Sequence, residues 1–298
     1  MRLAEIASLR RQWALVVVYL IAFSQLVLYW RAGESYADFL VFAATIWFGL
    51  LVLLSDVRDQ GASVDSSALR RLPEFSAFLG YLLFGWVLSA LTFVARLYDP
   101  LLHLIPLVSM LAFFLVAKVF RLKTLLAVLC ISLLLPLQVL ILRFTPTTIL
   151  SVWTADLTSL LNWFFGVQSV AAGTYVHFQN TWIYVNASCS GFNVILLTLS
   201  AFVIFYCMFF VDAPPDRRTM AKLVSVGIAS LAFSFLINSI RIFILSLCVV
   251  KPAPPLPGFL LNFNFWHDGM GSQIFSLAAI SFLAATFDRF VLSEQPSR

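Results

Sequence analysis

Eight apolar runs dominate this chain, and they decide what it can fold into. They lie at roughly 13–30, 36–55, 76–95, 98–117, 124–142, 189–211, 223–250 and 271–287. A helix that crosses a bilayer needs about 20 predominantly apolar residues, and inside hydrocarbon each such segment must satisfy its own backbone N–H and C=O groups. The fold class that follows is all-α, a polytopic transmembrane bundle of about eight spans. Only 11% of the residues are charged, against about 25% in a soluble domain, which excludes an ordinary soluble globule. With 61% apolar residues, the chain would collapse in water rather than stay disordered. Eight spans and their loops use nearly all of the 298 residues, leaving no room for a large soluble domain.

The net charge of +5 has a topological reading. With the amino terminus cytoplasmic, the inner segments hold Arg2, Arg10, Arg11, Arg58, Arg70, Arg71, Lys118, Arg121, Lys123, Arg217, Arg218, Lys222, Arg289 and Arg298. The outer segments hold only Arg31, Arg96, Arg143 and Lys251. That asymmetry is the positive-inside pattern, so the basic charge orients the chain and does not point to nucleic acid. Arg10 and Arg11 precede the first run in the manner of a signal peptide, but that run continues to Tyr29 and Trp30 without a small-residue cleavage site, and reads as a retained helix. The segment from Asp56 to Glu74 is polar and carries no recognisable chemistry. Asn186, Ala187 and Ser188 match a glycosylation sequon, a weak three-residue signal.

Two outer segments carry more information. Between runs five and six, Pro146 to Val167 mixes polar residues with Trp153, Leu157, Leu160, Leu161, Trp163 and Phe164. This pattern predicts an amphipathic helix on the outer membrane interface, its aromatics at headgroup depth. From Ser169 to Asn186, Thr, Tyr, Val and Gly predominate and predict a short hairpin. The second outer segment, Lys251 to Met270, contains Pro252, Pro254, Pro255 and Pro257. The two are placed to roof a cavity that opens outward.

Ionisable residues within spans are costly and are functional candidates by default. Arg241 is the clear case, at about 2.5–3.5 kcal/mol on insertion scales. It lies nine residues before the outer end of its run, roughly 13 Å deep at 1.5 Å per residue. Asn238 sits one turn earlier on the same face. A structural Arg that snorkels or holds a lipid headgroup is the alternative. Of four cysteines, Cys130, Cys207 and Cys248 lie in apolar runs and read as packing residues. Cys189 stands instead among small polar residues, beside Ser190 and Gly191, at a predicted helix start where amides and dipole favour a thiolate. Arg241 is the buried cation available on that side; a disulfide to Cys248 is the competing reading. Among three histidines, His103 reads as a packed core residue and His177, in the outer loop, is within possible reach of the site. His267 lies at the entry to the last run, with Asp268 beside it and Gly269 and Gly271 allowing close backbone approach. These residues do not make a metal set, and neither metal nor cofactor is expected; a thiol and an imidazole at one depth make a nucleophile and base.

At these residues the chain resembles the exosortases and archaeosortases. Cys189, Ser190 and Gly191 match the family's Cys-Ser-Gly motif, Arg241 with Asn238 its Arg within a later helix, and His267 followed by Gly271 its last motif. The likeness covers roughly 145–290, and His at the third position is similar to the bacterial branch. The resemblance implies two parts, amino-terminal helices over 1–143 and a catalytic core over 144–298. It also implies a membrane cysteine transpeptidase or protease that cleaves carboxy-terminal sorting signals: a short motif of Pro-Glu-Pro type, a membrane helix and a basic cluster. Cys189 would form the acyl-enzyme, His267 act as base and acid, and Arg241 stabilise the anion, with Asn238, Ser190, Gly191 and Asp268 in support. The partners implied are substrate proteins, membrane lipids and a lipid or glycan acceptor, at the outer, periplasmic side of the cytoplasmic membrane. Two other readings compete. A lipid or solute transporter would use Arg241 for a headgroup, but the spans carry few of the deep polar residues a pathway needs. A hydrolase built on Ser190 gives no reason for the buried Arg.

Overall fold

The computed structural model describes residues 3–32, 37–60, 70–71, 73–93, 100–117, 119–120, 122–211, 213–250, 262–267 and 270–293. The chain divides into two compact units, 1–143 with 203–214, and 144–202 with 215–298. The stretch 203–214 groups with the first unit.

The first unit contains α1 (Leu3–Arg31), α2 (Ala37–Gln60), β1 (Arg70–Arg71), α3 (Glu74–Phe93), α4 (Pro100–Ala117), β2 (Val119–Phe120) and nearly all of α5 (Leu122–Phe144). β1 and β2 pair antiparallel, Arg70 opposite Phe120. Its core is apolar, with Ile21, Ile46, Trp47, Leu50, Ile105 and Met110 fully buried. One polar network crosses it. Trp47 Nε1–H donates to Gln25 Oε1 at 2.8 Å, and Gln25 Nε2–H donates to the Leu102 carbonyl at 2.7 Å. His103 is buried, with the Tyr29 hydroxyl 3.4 Å from its Nδ1, as a packed core histidine should be.

The second unit is built from α6 (Thr148–Phe164), β3 (Val170–Ala172), β4 (Tyr175–His177), β5 (Trp182–Tyr184), the first half of α7 (Phe192–Phe210), α8 (Arg217–Val249), α9 (Phe263–His267) and α10 (Met270–Phe287). α10 passes into a π-helical turn over Asp288–Leu292. α8 is the longest element at 33 residues, about 50 Å at 1.5 Å per residue. The hairpin predicted over 169–186 is a three-stranded antiparallel meander in the order β3-β4-β5, with Val176 opposite Ala171 and Ile183. Val176 faces a core shared with Ala155, Val185, Cys189, Ile242, Leu245, Trp266 and Phe275.

Among the described residues seven helices are long and apolar enough to cross a membrane, and the expected span at 98–117 is met by the shorter apolar stretch Leu102–Ala117. The outward side chains agree with a lipid environment: Phe23, Phe48, Phe78, Leu126 and Ile228 are large, apolar and exposed, a pattern water does not tolerate over a whole surface. The fold is an all-α polytopic bundle. The predicted interfacial helix is α6, and its two faces are reversed relative to a soluble amphipathic helix. Ser151, Thr154, Thr158 and Asn162 are buried, whereas Ile149, Trp153, Leu160, Trp163 and Phe164 are exposed. An apolar solvent on the outside inverts the usual rule, so the small polar residues pack inward against α8.

Candidate active site

The segment from Asn186 to Phe192 is a tight turn leading into α7, and a set of hydrogen bonds holds its backbone. Asn186 Oδ1 accepts from the Cys189 N–H at 2.9 Å, reinforced by the Asn186 carbonyl at 3.1 Å. Ser190 Oγ donates to the Ala187 carbonyl at 2.7 Å and accepts from the Phe192 N–H at 3.3 Å. The next two carbonyls are held from other helices. Asn238 Nδ2 on α8 donates to the Cys189 carbonyl at 3.0 Å, and Thr154 Oγ1 on α6 donates to the Ser190 carbonyl at 3.1 Å. α7 starts at Phe192, three residues later than the predicted run, with the Ile195 N–H closing onto the Gly191 carbonyl at 3.0 Å. Cys189 thus stands just before the helix rather than in its first turn. Gly191 is required twice over: its φ is +84°, and a Cβ there would stand 2.7 Å from Asn238 Nδ2.

Against this turn the structure sets α9. His267, its last residue, is half-buried and stacks on Phe263 with centroids 5.1 Å apart and planes 16° from parallel. His267 Nε2 lies 3.6 Å from Cys189 Sγ. Trp266 anchors α9 in the same core, ring against ring with Phe275 of α10. Gly271 lets the chain turn tightly, since a Cβ there would come within 2.7 Å of the Phe265 ring and carbonyl. Cys189 is itself 4% exposed. A thiol and imidazole 78 residues apart in sequence therefore meet in an apolar core, where the imidazole can take the thiol proton and leave a thiolate.

Arg241 lies three residues beyond Asn238 on α8, 6% exposed. Its Nε–H has no hydrogen-bond partner among the described residues, and neither has Asn238 Oδ1. The structure brings Cys189, His267 and Asn238 into direct contact, and it does not join Arg241 to them by a hydrogen bond among the described residues. Asp268 lies outside the described residues. Ser190 is fully buried, and its hydroxyl is committed to the turn, which removes it as a free nucleophile. His177 is exposed on β4, on the face opposite Val176, so the alternation of the strand points it away from the core that holds the thiol. All four cysteines are free, so the disulfide reading fails; Cys248 donates to the Ile244 carbonyl at 3.3 Å.

Two supporting residues escape a reading from sequence. Asn186 carries a signal in its spacing, because an Asn side chain commonly bonds a backbone N–H a few residues on. Thr154 carries none, since its partner is 36 residues away.

An apolar bundle with a thiol–imidazole pair at the mouth of one helix defines the class: a polytopic membrane protein with a cysteine–histidine site. The family model of the transmembrane exosortases matches residues 46–284, and the chain belongs to that family. The match begins well before 145, so the likeness includes the amino-terminal helices from α2 onward. Family membership implies a membrane protease or transpeptidase acting on protein sorting signals. No curated protein and no solved structure gives a match to this chain.

Proposed function

We propose that this protein is a cysteine transpeptidase or protease that cleaves carboxy-terminal sorting signals composed of a short motif of Pro-Glu-Pro type, a membrane helix and a basic cluster. The observation that carries the reading is the 3.6 Å approach of His267 Nε2 to Cys189 Sγ. The thiol proton passes to His267, and the sulfur attacks the scissile carbonyl to give a tetrahedral oxyanion. His267 then returns the proton to the departing amine as the C–N bond breaks, leaving a thioester on Cys189. Water or an amine on a lipid or glycan acceptor gives its proton to His267, attacks the thioester and regenerates the thiol.

Arg241 is the cation for the negative charge that appears during these steps. A buried guanidinium with an unpartnered N–H is costly until an anion arrives, and donors held in advance of that charge lower the barrier. Asn238, Asn186 and Thr154 hold the turn that presents the thiol. The site belongs on the periplasmic side of the cytoplasmic membrane, the side on which the basic-residue bias puts the Cys189 turn, Arg241 and His267. A substrate anchored by its own helix reaches such a site without leaving the bilayer.

The test is co-expression with a tripartite-tail substrate from the same genome, comparing substrate size on a gel for wild type, Cys189→Ala and Cys189→Ser. Processing by the wild type and its loss in both variants at equal protein levels is the expected result. Unchanged processing by Cys189→Ala rejects the mechanism.

A further inference from the structure

The second unit contains a concavity separate from the thiol. It encloses about 520 Å³ between the end of α8, the turn after α6 and the β4–β5 turn, a volume typical of ligand sites. Leu247 and Val249 of α8 and Val250 just beyond it form its apolar wall, with Phe178. Gln168, Gln179, Asn180 and Thr181 form its polar rim, and none of the side chains that line it is charged. Gln179 Nε2–H donates to Gln168 Oε1 at 3.1 Å, which leaves the Gln168 Nε2 hydrogens and Gln179 Oε1 for a further partner. Phe178 also packs against the core that contains Cys189, so one ring borders both places.

We infer that this cavity is a specificity subsite for the substrate polypeptide, receiving an uncharged residue about four positions to the amino-terminal side of the scissile bond. The inference rests on the reading of Cys189 as nucleophile. Asn238, bonded to the Cys189 carbonyl, and Leu247, in the cavity wall, are nine residues apart on one helix, about 14 Å along its axis. An extended polypeptide, at up to about 3.5 Å per residue, covers that distance in four residues. The cavity lies toward the end of α8, on the side of the thiol away from the middle of the span. That is where the exported part of a substrate remains while its tail helix stays in the bilayer.

The lining selects the chemistry. A peptide unit presents one N–H and one C=O, matched by Gln179 Oε1 and the Gln168 amide hydrogens, and the apolar wall receives the side chain between them. Gln168, Gln179 and Asn180 are exposed, so the discrimination comes from the apolar wall: a carboxylate, an ammonium or a lipid phosphate seated against it would lose part of its hydration and meet no counter-charge. A neutral sugar shares the hydrogen-bonding complement. It is the weaker fit, because the only ring in the wall, Phe178, is half-buried in the cysteine's core.

The test uses the full-length protein in membranes with a tripartite-tail reporter that wild type processes, given in parallel to Cys189→Ala. Glu is placed singly at the second to sixth positions before the cleavage point, and the unmodified reporter is also given to Thr181→Trp, which fills the cavity. The expected result is an approximately tenfold loss centred on the fourth position, carried by KM, and a similar loss for Thr181→Trp. The Cys189-dependent rate of iodoacetamide labelling stays at the wild-type value, a reading that a distorted site would not give. Equal processing of every Glu reporter and by Thr181→Trp overturns the subsite and leaves Cys189-dependent cleavage standing. Competition by a soluble neutral oligosaccharide that Thr181→Trp abolishes also overturns it, assigning the cavity to a glycan. Equal processing by wild type and Cys189→Ala overturns the parent reading instead.

Discussion

The two units each bury a polar cluster in apolar surroundings, and they treat it in opposite ways. In the first, Gln25 uses both ends of its amide, accepting from Trp47 and donating to the Leu102 carbonyl, and His103 meets the Tyr29 hydroxyl. In the second, Asn238 uses only its Nδ2, and both its Oδ1 and Arg241 Nε are buried without partners among the described residues. A buried polar group left unpaired costs about 1–3 kcal/mol, which is why structural networks in cores are saturated. The first cluster fits that rule and needs nothing further to explain it. The second breaks the rule on the helix that also holds the Cys189 carbonyl through Asn238, and under the proposed mechanism the substrate supplies what is missing.

The two histidines give the largest contrast. If His267 moves the proton as proposed, His267→Ala lowers the single-turnover cleavage rate about 100- to 10,000-fold with a melting temperature near wild type. His103, packed against Phe39 at 5.3 Å between ring centroids and almost fully buried, behaves conversely. His103→Ala opens a cavity and lowers the melting temperature, while the cleavage rate per folded molecule is kept. Rate and melt curves on both variants check this, and a His267→Ala protein that cleaves normally destroys the distinction.

Next in size is a pair of substitutions predicted to differ in sign. Gln25→Met strands the Trp47 N–H and the Leu102 carbonyl and destabilises by about 1–3 kcal/mol. Arg241→Met removes a buried charge whose Nε–H has no partner among the described residues, so the fold holds or gains stability; if Arg241 serves the oxyanion as proposed, cleavage falls at least tenfold. Denaturation in detergent, read beside cleavage, separates the two. An Arg241→Met protein as unstable as Gln25→Met assigns Arg241 to structure.

Much of this was legible from residue patterns, for identifiable reasons. The spans were readable because hydrocarbon thickness fixes their length, and their observed ends lie within a few residues for most runs. Cys189 and His267 stood out because each sits among polar or glycine neighbours at the edge of an apolar run. The inward face of α6 was not readable, because the helical period is the same whichever face meets lipid; the buried stripe of Ser151, Thr154, Thr158 and Asn162 is decided by the partner, α8. The third strand was missed because Gly173 marks the first turn of the meander, whereas the second closes through a Phe178 N–H to Thr181 carbonyl bond at 2.8 Å without glycine. The bonds from Thr154 and Asn238 to successive carbonyls span 36 and 49 residues, and no local pattern encodes them.

The smallest predicted effect is also the most discriminating, because it sets one backbone conformation in two surroundings. Gly173 and Gly191 both have positive φ, +61° and +84°, so Ala at either position carries strain of about 1–2 kcal/mol. Around Gly173 a Cβ meets nothing within 4 Å, so Gly173→Ala lowers stability by that strain alone and leaves cleavage unchanged. At Gly191 the same methyl stands 2.7 Å from Asn238 Nδ2 and 2.9 Å from its Cγ. Asn238 must retreat, its 3.0 Å bond to the Cys189 carbonyl lengthens, and the turn that presents the thiol loosens. Gly191→Ala therefore shows a melting-temperature loss comparable to that of Gly173→Ala, together with a cleavage rate several-fold lower. The separation lies in the ratio of rate to stability. If both variants lose the same small stability and neither loses rate, the bond from Asn238 to Cys189 only braces the fold, and the alignment of the thiol depends on Asn186 and Thr154 instead.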